Sequence, residues 1–231
     1  MHKRKGFLIL CREIYFPVLT NPSIYKVSLL RDFCFMHKYF LFYKPFQVLS
    51  TFTSSDGKKC LRDYIHLSKD VYAAGRLDYD SEGLMLLTND GALIHQLLHP
   101  GFHHFRTYYV QVEGVLNAAA LESLCSGVSI RVDGKAYETL PAKVVPIPNP
   151  TNVPERNPPI RFRKTIPTSW LSITLQEGKN RQVRKMTAAV GHPTLRLIRW
   201  SIEKITVDQL EPGQLKEISR STLLKKLLIQ P

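Results

Sequence analysis

Apolar residues follow one another without a break from Leu84 to Leu87 and stop at the polar turn Thr88-Asn89-Asp90-Gly91. A run of that length bounded by a turn predicts a buried strand over 83–88. Asn89 or Asp90 is placed to cap a helix through 92–98, which Pro100-Gly101 stops. Residues 107–114 alternate as a strand, with Tyr108, Val110 and Val112 on one face. Asn117 caps a second helix over 118–124, ended by Gly127. Residues 170–175 alternate again, and Gly178-Lys179-Asn180 turns into a helix over 181–190 closed by Gly191. The stretches 195–200 and 202–207 read as paired strands, and Glu211-Pro212-Gly213-Gln214 as a turn. Nearer the start, a short strand runs into a Lys44-Pro45 turn, 46–53 reads as extended and 60–66 as a short helix. Strands and helices interleave without the regular spacing of βαβ units, so the predicted fold class is α+β.

Two stretches break this rhythm. Residues 1–35 carry six Lys and Arg against two Asp and Glu and have no clean period. They read as an N-terminal extension, with Met36 as a functional start. Residues 141–168 hold eight prolines and the basic residues Arg156, Arg161, Arg163 and Lys164, which predicts a long loop. Beyond Ser219 the chain reads as a short basic amphipathic tail, 221–231.

Composition changes the picture through charge. The 231 residues carry 32 Lys and Arg against 19 Asp and Glu, a net +13, which favours a polyanionic partner such as nucleic acid. The four cysteines, Cys11, Cys34, Cys60 and Cys125, are far apart and form no C-x-x-C pair. That predicts neither a zinc ribbon nor a disulfide framework, but a reducing, cytoplasmic compartment. No run of about 18 apolar residues is available for a membrane span.

The charge is concentrated. Between Glu155 and Lys185 there are eight Lys and Arg against two Glu, a net +6. On the helix after Asn180, Arg181, Arg184 and Lys185 fall on one face, while Val183, Met186 and Val190 fall on the opposite, core-facing one. Tyr79, Tyr108, Tyr109 and Phe162 are candidate stacking surfaces for unpaired bases. Asp78, Asp80 and Glu82 crowd three carboxylates beside Arg76, and such groups cost free energy unless they pair, face water or act on a substrate. On a strand the three carboxylates would share a face and could hold Mg²⁺ for a nuclease. His95 and His99 stand four apart, but no H-E-x-x-H pattern accompanies them, and a basic solvated helix face is the competing reading of the charge cluster.

The segment Gly75-Arg76-Leu77-Asp78-Tyr79-Asp80-Ser81-Glu82-Gly83-Leu84 resembles the G-R-L-D-x-x-[ST]-x-G-L signature of pseudouridine synthases. Its continuation to Leu87-Thr88-Asn89-Asp90-Gly91 is similar to the branch acting on bacterial ribosomal RNA. Lys44-Pro45, Arg106-Thr107-Tyr108-Tyr109-Val110 and Glu177-Gly178-Lys179-Asn180-Arg181-Gln182-Val183-Arg184-Lys185-Met186 agree in order. The pieces Arg156-Asn157-Pro158-Pro159-Ile160 and Ile166-Pro167-Thr168-Ser169-Trp170 narrow the resemblance to enzymes of the large ribosomal subunit. Two departures stand out. Residues 1–35 are too short for the small RNA-binding module common at the start of this branch and do not resemble it, and Arg106 stands at the position of the usual Lys.

The resemblance implies a mixed, largely antiparallel sheet with flanking helices and a central active-site cleft. It also implies a catalytic domain over 36–220 in two subdomains meeting near 103. The implied activity is isomerisation of one uridine in large-subunit ribosomal RNA, by a monomer that needs no cofactor, metal or membrane. Asp78, Tyr108 and Arg184 are the implied catalytic residues: a carboxylate at the nucleoside, a ring against the base and a cation that aligns the carboxylate. Arg76, Arg106, Arg161, Arg163, Lys164, Lys179, Arg181 and Lys185 are the expected RNA-binding cations, and Leu197 an apolar wall of the pocket. Two other readings stay open on the residues alone: a non-catalytic ribosomal-RNA-binding or assembly protein, and the metal-dependent nuclease.

Overall fold

The computed structural model of the protein describes residues 37–54, 56–160 and 165–229. The expectations for residues 1–35, for Phe162 and for Arg161, Arg163 and Lys164 lie outside these residues.

Two strands start the sheet. β1 (Tyr39–Lys44) and β3 (Glu82–Thr88) pair antiparallel, and the two-residue β2 (Tyr72–Ala73) lies beside the end of β3. Every residue of β1 and β3 is buried. The unbroken apolar run in β3 has a direct cause: Leu84 and Leu86 face one core cluster, and Met85 and Leu87 face another. Thr88 and Asp90 then start α1 (Gly91–Leu98). Asp90 accepts from Leu93 N at 3.0 Å and from the Tyr39 hydroxyl at 2.8 Å, which fixes the cap to β1.

The second half of the sheet is built on β4 (Arg106–Glu113). As the alternation predicts, Tyr108, Val110 and Val112 all face one cluster. Asn117 caps α2 (Ala118–Ser126), which Gly127 closes at φ 105°. A hairpin follows, β5 (Ser129–Val132) and β6 (Lys135–Glu138), turned by Asp133 and Gly134 at φ 50° and 79°. β7 (Lys143–Ile147) pairs with β8 (Thr168–Leu175), so the segment expected to be one long loop begins as a sheet-edge strand. Its Pro146 fits that edge, where a missing N–H leaves no gap in the ladder. α3 (Gln182–Ala189) leads to β9 (Thr194–Ile202), longer than expected. The return strand β10 is only Ile205–Thr206.

The remaining expectations differ locally. Residues 46–53 form turns with one bridge from Leu49 to Cys60, and the short helix is a single 3-10 turn over Leu61–Asp63. After the turn at Glu211, β11 (Leu215–Glu217) pairs with β1. The expected tail begins as α4 (Arg220–Leu227), which buries Leu223, Leu224 and Leu227 in the cluster that contains Leu84 and Leu86. Among the described residues no helix is long and apolar enough to cross a membrane.

The sheet runs β11-β1-β3-β9-β4-β8-β7, with β2 and β10 off this path. β3 and β9 are its parallel neighbours, paired at Glu82 with Ile198 and Gly83 with Arg199. Among the described residues four α-helices flank the strands, so the α+β class with a largely antiparallel sheet is what the chain adopts. The start of β3 thus lies mid-sheet.

Gly83 marks the tightest point of that junction. Its φ is +106°, and an added Cβ would fall onto the backbone of Arg199. Gly83→Ala is therefore expected to lose roughly 2–5 kcal/mol from strain and overpacking together. A shift of the urea midpoint, compared with the native chain, measures it.

Candidate active site

Asp78 opens a turn in which Ser81 N donates to Asp78 O at 3.1 Å, just before β3 begins. Two groups fix this turn. The Ser50 hydroxyl donates to Leu77 O at 2.6 Å and accepts from Leu77 N at 3.0 Å. The Lys44 ammonium donates to Ser81 O at 2.7 Å, to Pro45 O at 2.9 Å and to Tyr79 O at 3.5 Å. Lys44 ends β1 directly opposite Gly83, so the antiparallel register sets it under the turn. Its side chain is fully buried, and burial pushes its pKa down to about 7 against the pull of Glu82, Asp80 and Asp78.

The three carboxylates diverge. Glu82 turns inward and is gripped by Arg196, Nε to Oε1 at 2.9 Å and Nη2 to Oε2 at 2.8 Å. The same Nη2 donates to Pro154 O at 2.8 Å and ties the proline-rich segment to the sheet. Asp80 receives the Arg181 fork, Nη1 to Oδ1 at 2.8 Å and Nη2 to Oδ2 at 2.7 Å. Arg184 Nε stands 3.4 Å from Asp80 Oδ2, and its Nη2 donates to the main-chain O of Asp80 at 2.6 Å. Burial alone would raise the Asp80 pKa. The Arg181 bonds and the charges of Arg184 and Arg181 outweigh it and hold the carboxyl below its usual range. Asp78 is half-buried and pairs more loosely, its Oδ2 lying 3.8 Å from Arg181 Nη1.

This arrangement corrects the shared-face idea for Mg²⁺. Glu82 points into the core toward Arg196, while Asp78 and Asp80 both face Arg181, so the three carboxylates do not share one face. Among the described residues no group of three or more His, Cys, Asp or Glu could hold an ion. His95 and His99 pack ring to ring at 5.3 Å and against Phe102.

α3 supplies the cations. Val183 and Met186 are buried in the core, as predicted, and Gln182 and Thr187 are buried with them. Arg181 lies just outside the helix at φ 52°, a left-handed conformation uncommon for a long side chain. Arg184 is largely buried, and burial lowers its pKa against the opposing pull of Asp80. Lys185 is half-buried with Nζ 3.5 Å from Asn180 Oδ1, and exposed Lys179 stands over the Tyr137 ring at 4.8 Å.

The other expected site residues are distributed around this centre. Tyr108 is half-buried on β4, across from buried Arg199, and its phenol helps to hold the Arg199 charge that burial disfavours. Leu197 is buried beside its cross-strand partner Val110. Arg76 is exposed. Arg106 spends its guanidinium on Leu97 O at 2.7 Å and His104 O at 3.2 Å, joining the end of α1 to β4. Sequence reasoning missed Asp80 as the arginine acceptor, and with it Ser50, Arg196 and Arg199. Lys44 was visible as part of a motif, but its contact with the turn was not.

A family model described as RNA pseudouridylate synthase matches residues 38–189, and the chain belongs to that family. It is an isomerase acting on RNA. Ribosomal large subunit pseudouridine synthase E of Vibrio parahaemolyticus is 57% identical over 181 residues, 78% of this chain and 74% of the relative. The protein of that name in Xanthomonas campestris pv. campestris is 48% identical, over 74% of this chain and 90% of the relative. A solved structure, "Crystal structure of pseudouridylate synthase", superposes with a TM-score of 0.66 at 27% identity, covering 83% of this chain and 74% of that one.

The buried lysine makes stability depend on pH. From about 7 to its ordinary value of 10.5, the unfolded chain binds a proton that folded Lys44 has lost. Unfolding therefore becomes harder as pH rises through this window, and the penalty is fully present below 7. The gain from Lys44 between pH 7 and 9 is expected to be roughly 2 kcal/mol. Chemical denaturation at both values should show it in the native chain and a flatter response in Lys44→Met.

Proposed function

We propose that this protein converts one uridine of large-subunit ribosomal RNA to pseudouridine, with Asp78 as the carboxylate that acts at the nucleoside. The observation carrying this reading is the state of Asp78: fixed through its main chain, half-exposed, and the least engaged of three adjacent carboxylates. The isomerisation breaks the bond from ribose C1′ to the ring nitrogen N1 and forms one from C1′ to ring carbon C5. C5 gives up a proton and N1 gains one, so nothing is consumed. An ionised carboxylate attacks or stabilises the sugar or base while the uracil turns. Arg184 and Arg181 supply positive charge beside it, and Tyr108 supports the base.

The target uridine must leave its helix first, at a cost of a few kcal/mol. Phosphate contacts from Lys179, Arg181, Lys185 and Arg76, together with Arg161, Arg163 and Lys164, offset that cost. Leu197 backs the pocket. The names of the relatives support the ribosomal substrate; a role in ribosome biogenesis, in the cytoplasm and as a monomer, is part of the proposal.

Asp78→Asn tests this reading, because it keeps the shape of the side chain and removes its charge. Tritium release from RNA labelled at uridine C5 should fall by roughly 10³-fold or more. RNA affinity should stay within about threefold, since the cations that bind phosphate are untouched. Near-native release by the variant would remove Asp78 from the reaction.

A further inference from the structure

We propose that Asp80 is a positioning residue for the isomerisation: it captures Arg181 and so keeps Asp78 open to the nucleoside. The proposal rests on the reading of Asp78 given above.

Arg181 stands between two carboxylates and is held by one. Both of its terminal nitrogens bond Asp80, at 2.8 and 2.7 Å, whereas the nearest Asp78 oxygen is 3.8 Å away. The end-on fork of Nη1 and Nη2 is taken by Asp80, so Asp78 cannot make that same two-point pair while Asp80 holds it. About one ångström separates the two arrangements. The backbone keeps Arg181 at this place: φ is 52°, its carbonyl accepts from Lys185 N at 3.1 Å, and buried Gln182 follows it. A long side chain rooted there has two acidic acceptors in reach. Without the charge at position 80, Asp78 becomes its acceptor, and the oxygens needed at the sugar or base are occupied by a forked arginine.

Arg184 behaves differently. Its 2.6 Å bond goes to the main-chain carbonyl of residue 80, which any substitution there retains. Loss of the Asp80 charge should thus release Arg181 while leaving Arg184 largely in position. A plain stabilising ion pair would make another prediction, because exposed pairs contribute little and their loss does not select one kinetic constant.

Asp80→Asn should lower kcat by about 10- to 100-fold. RNA affinity should be unchanged or tighter, since the protein has lost a negative charge. Adding Arg181→Gln should then raise kcat again, to within about threefold of the Arg181→Gln single variant. Urea midpoints of all four proteins report whether each is folded. If Asp80→Asn does not fold, Asp80→Ser removes the same charge in a smaller side chain and faces the same test. The proposal is overturned if the charge-removing variant keeps native kcat. It is equally overturned if the double variant is no faster than that variant. Asp78→Asn in the same assay separates the two levels: if it remains active, the reading of Asp78 fails. If it is inactive and Arg181→Gln brings no recovery, only the role given to Asp80 fails.

Discussion

The ammonium of Lys44 lies at the end of β1, beneath the turn that carries Asp78, and donates to the carbonyls of Ser81 and Tyr79. It can do so because Lys44 and Gly83 are cross-strand partners, while Gly83 also lies against Arg199 of β9. Three strands therefore converge at one point below the turn. Removing a lysine from water is costly, and burial has driven this one down to about 7. Its three carbonyl acceptors and the nearby Glu82, Asp80 and Asp78 offset that cost. With the turn's carbonyls taken from below and Leu77 held by Ser50, the Asp78 carboxylate is positioned by main chain rather than by side-chain partners. A carboxylate fixed that way can change its own partners during a reaction without moving.

The three acidic residues illustrate how one short segment separates structural from chemical charge. Glu82 and Arg196 are almost dry and meet in a bidentate pair, so neither is available to a ligand. Removing one partner would leave the other buried and uncompensated, which is why such pairs are kept together. Through Pro154 the same arginine also holds the proline-rich segment against the sheet, and Val153 packs into the core beside it. Farther along, Arg156 lies over the Phe46 ring at 4.1 Å and donates to Pro158 O and Pro159 O. Asp80 takes the middle position, half-exposed and doubly bonded. Asp78, the most lightly paired, keeps the most capacity for a substrate.

Much of this was legible in the sequence, and the failures have physical causes. β3, α1, β4 and α2 announce themselves because an apolar run, a clean alternation and Asp or Asn caps all agree locally. β7 was hidden because its proline and exposed valine, between Pro141 and Pro148, resemble loop chemistry; its order comes from pairing with β8, a tertiary effect. The β5–β6 hairpin did carry a signal, the Asp133-Gly134 turn, which went unread. At the site, the signature pointed to Asp78 and the helix face to Arg181 and Arg184, and the fold brings these three together. The pairing escaped, because which carboxylate an arginine meets depends on how α3 docks onto the sheet. Helical spacing places Arg181 and Arg184 together but says nothing of the turn, about a hundred residues earlier, that receives them.

Tyr108 and Tyr109 show how strand geometry can assign work to adjacent identical residues. Successive side chains on β4 leave by opposite faces, so only one of the pair can join each cluster. Tyr109 lies flat on Trp200, ring centroids 4.5 Å apart and planes within 7°, in the cluster beneath α1 and α4. That stack fixes the roll of β4 about its own axis. Tyr108 is thereby directed to the other face, beside Arg199, whose Nε is already committed to Leu84 O at 2.7 Å. A buried guanidinium bonded on one side to β3 and flanked on the other by a phenol links the strand that follows the Asp78 turn to the strand of Tyr108. The core stack of one tyrosine thus sets the orientation of the other, which is the stiffness a ring needs if it is to support a base.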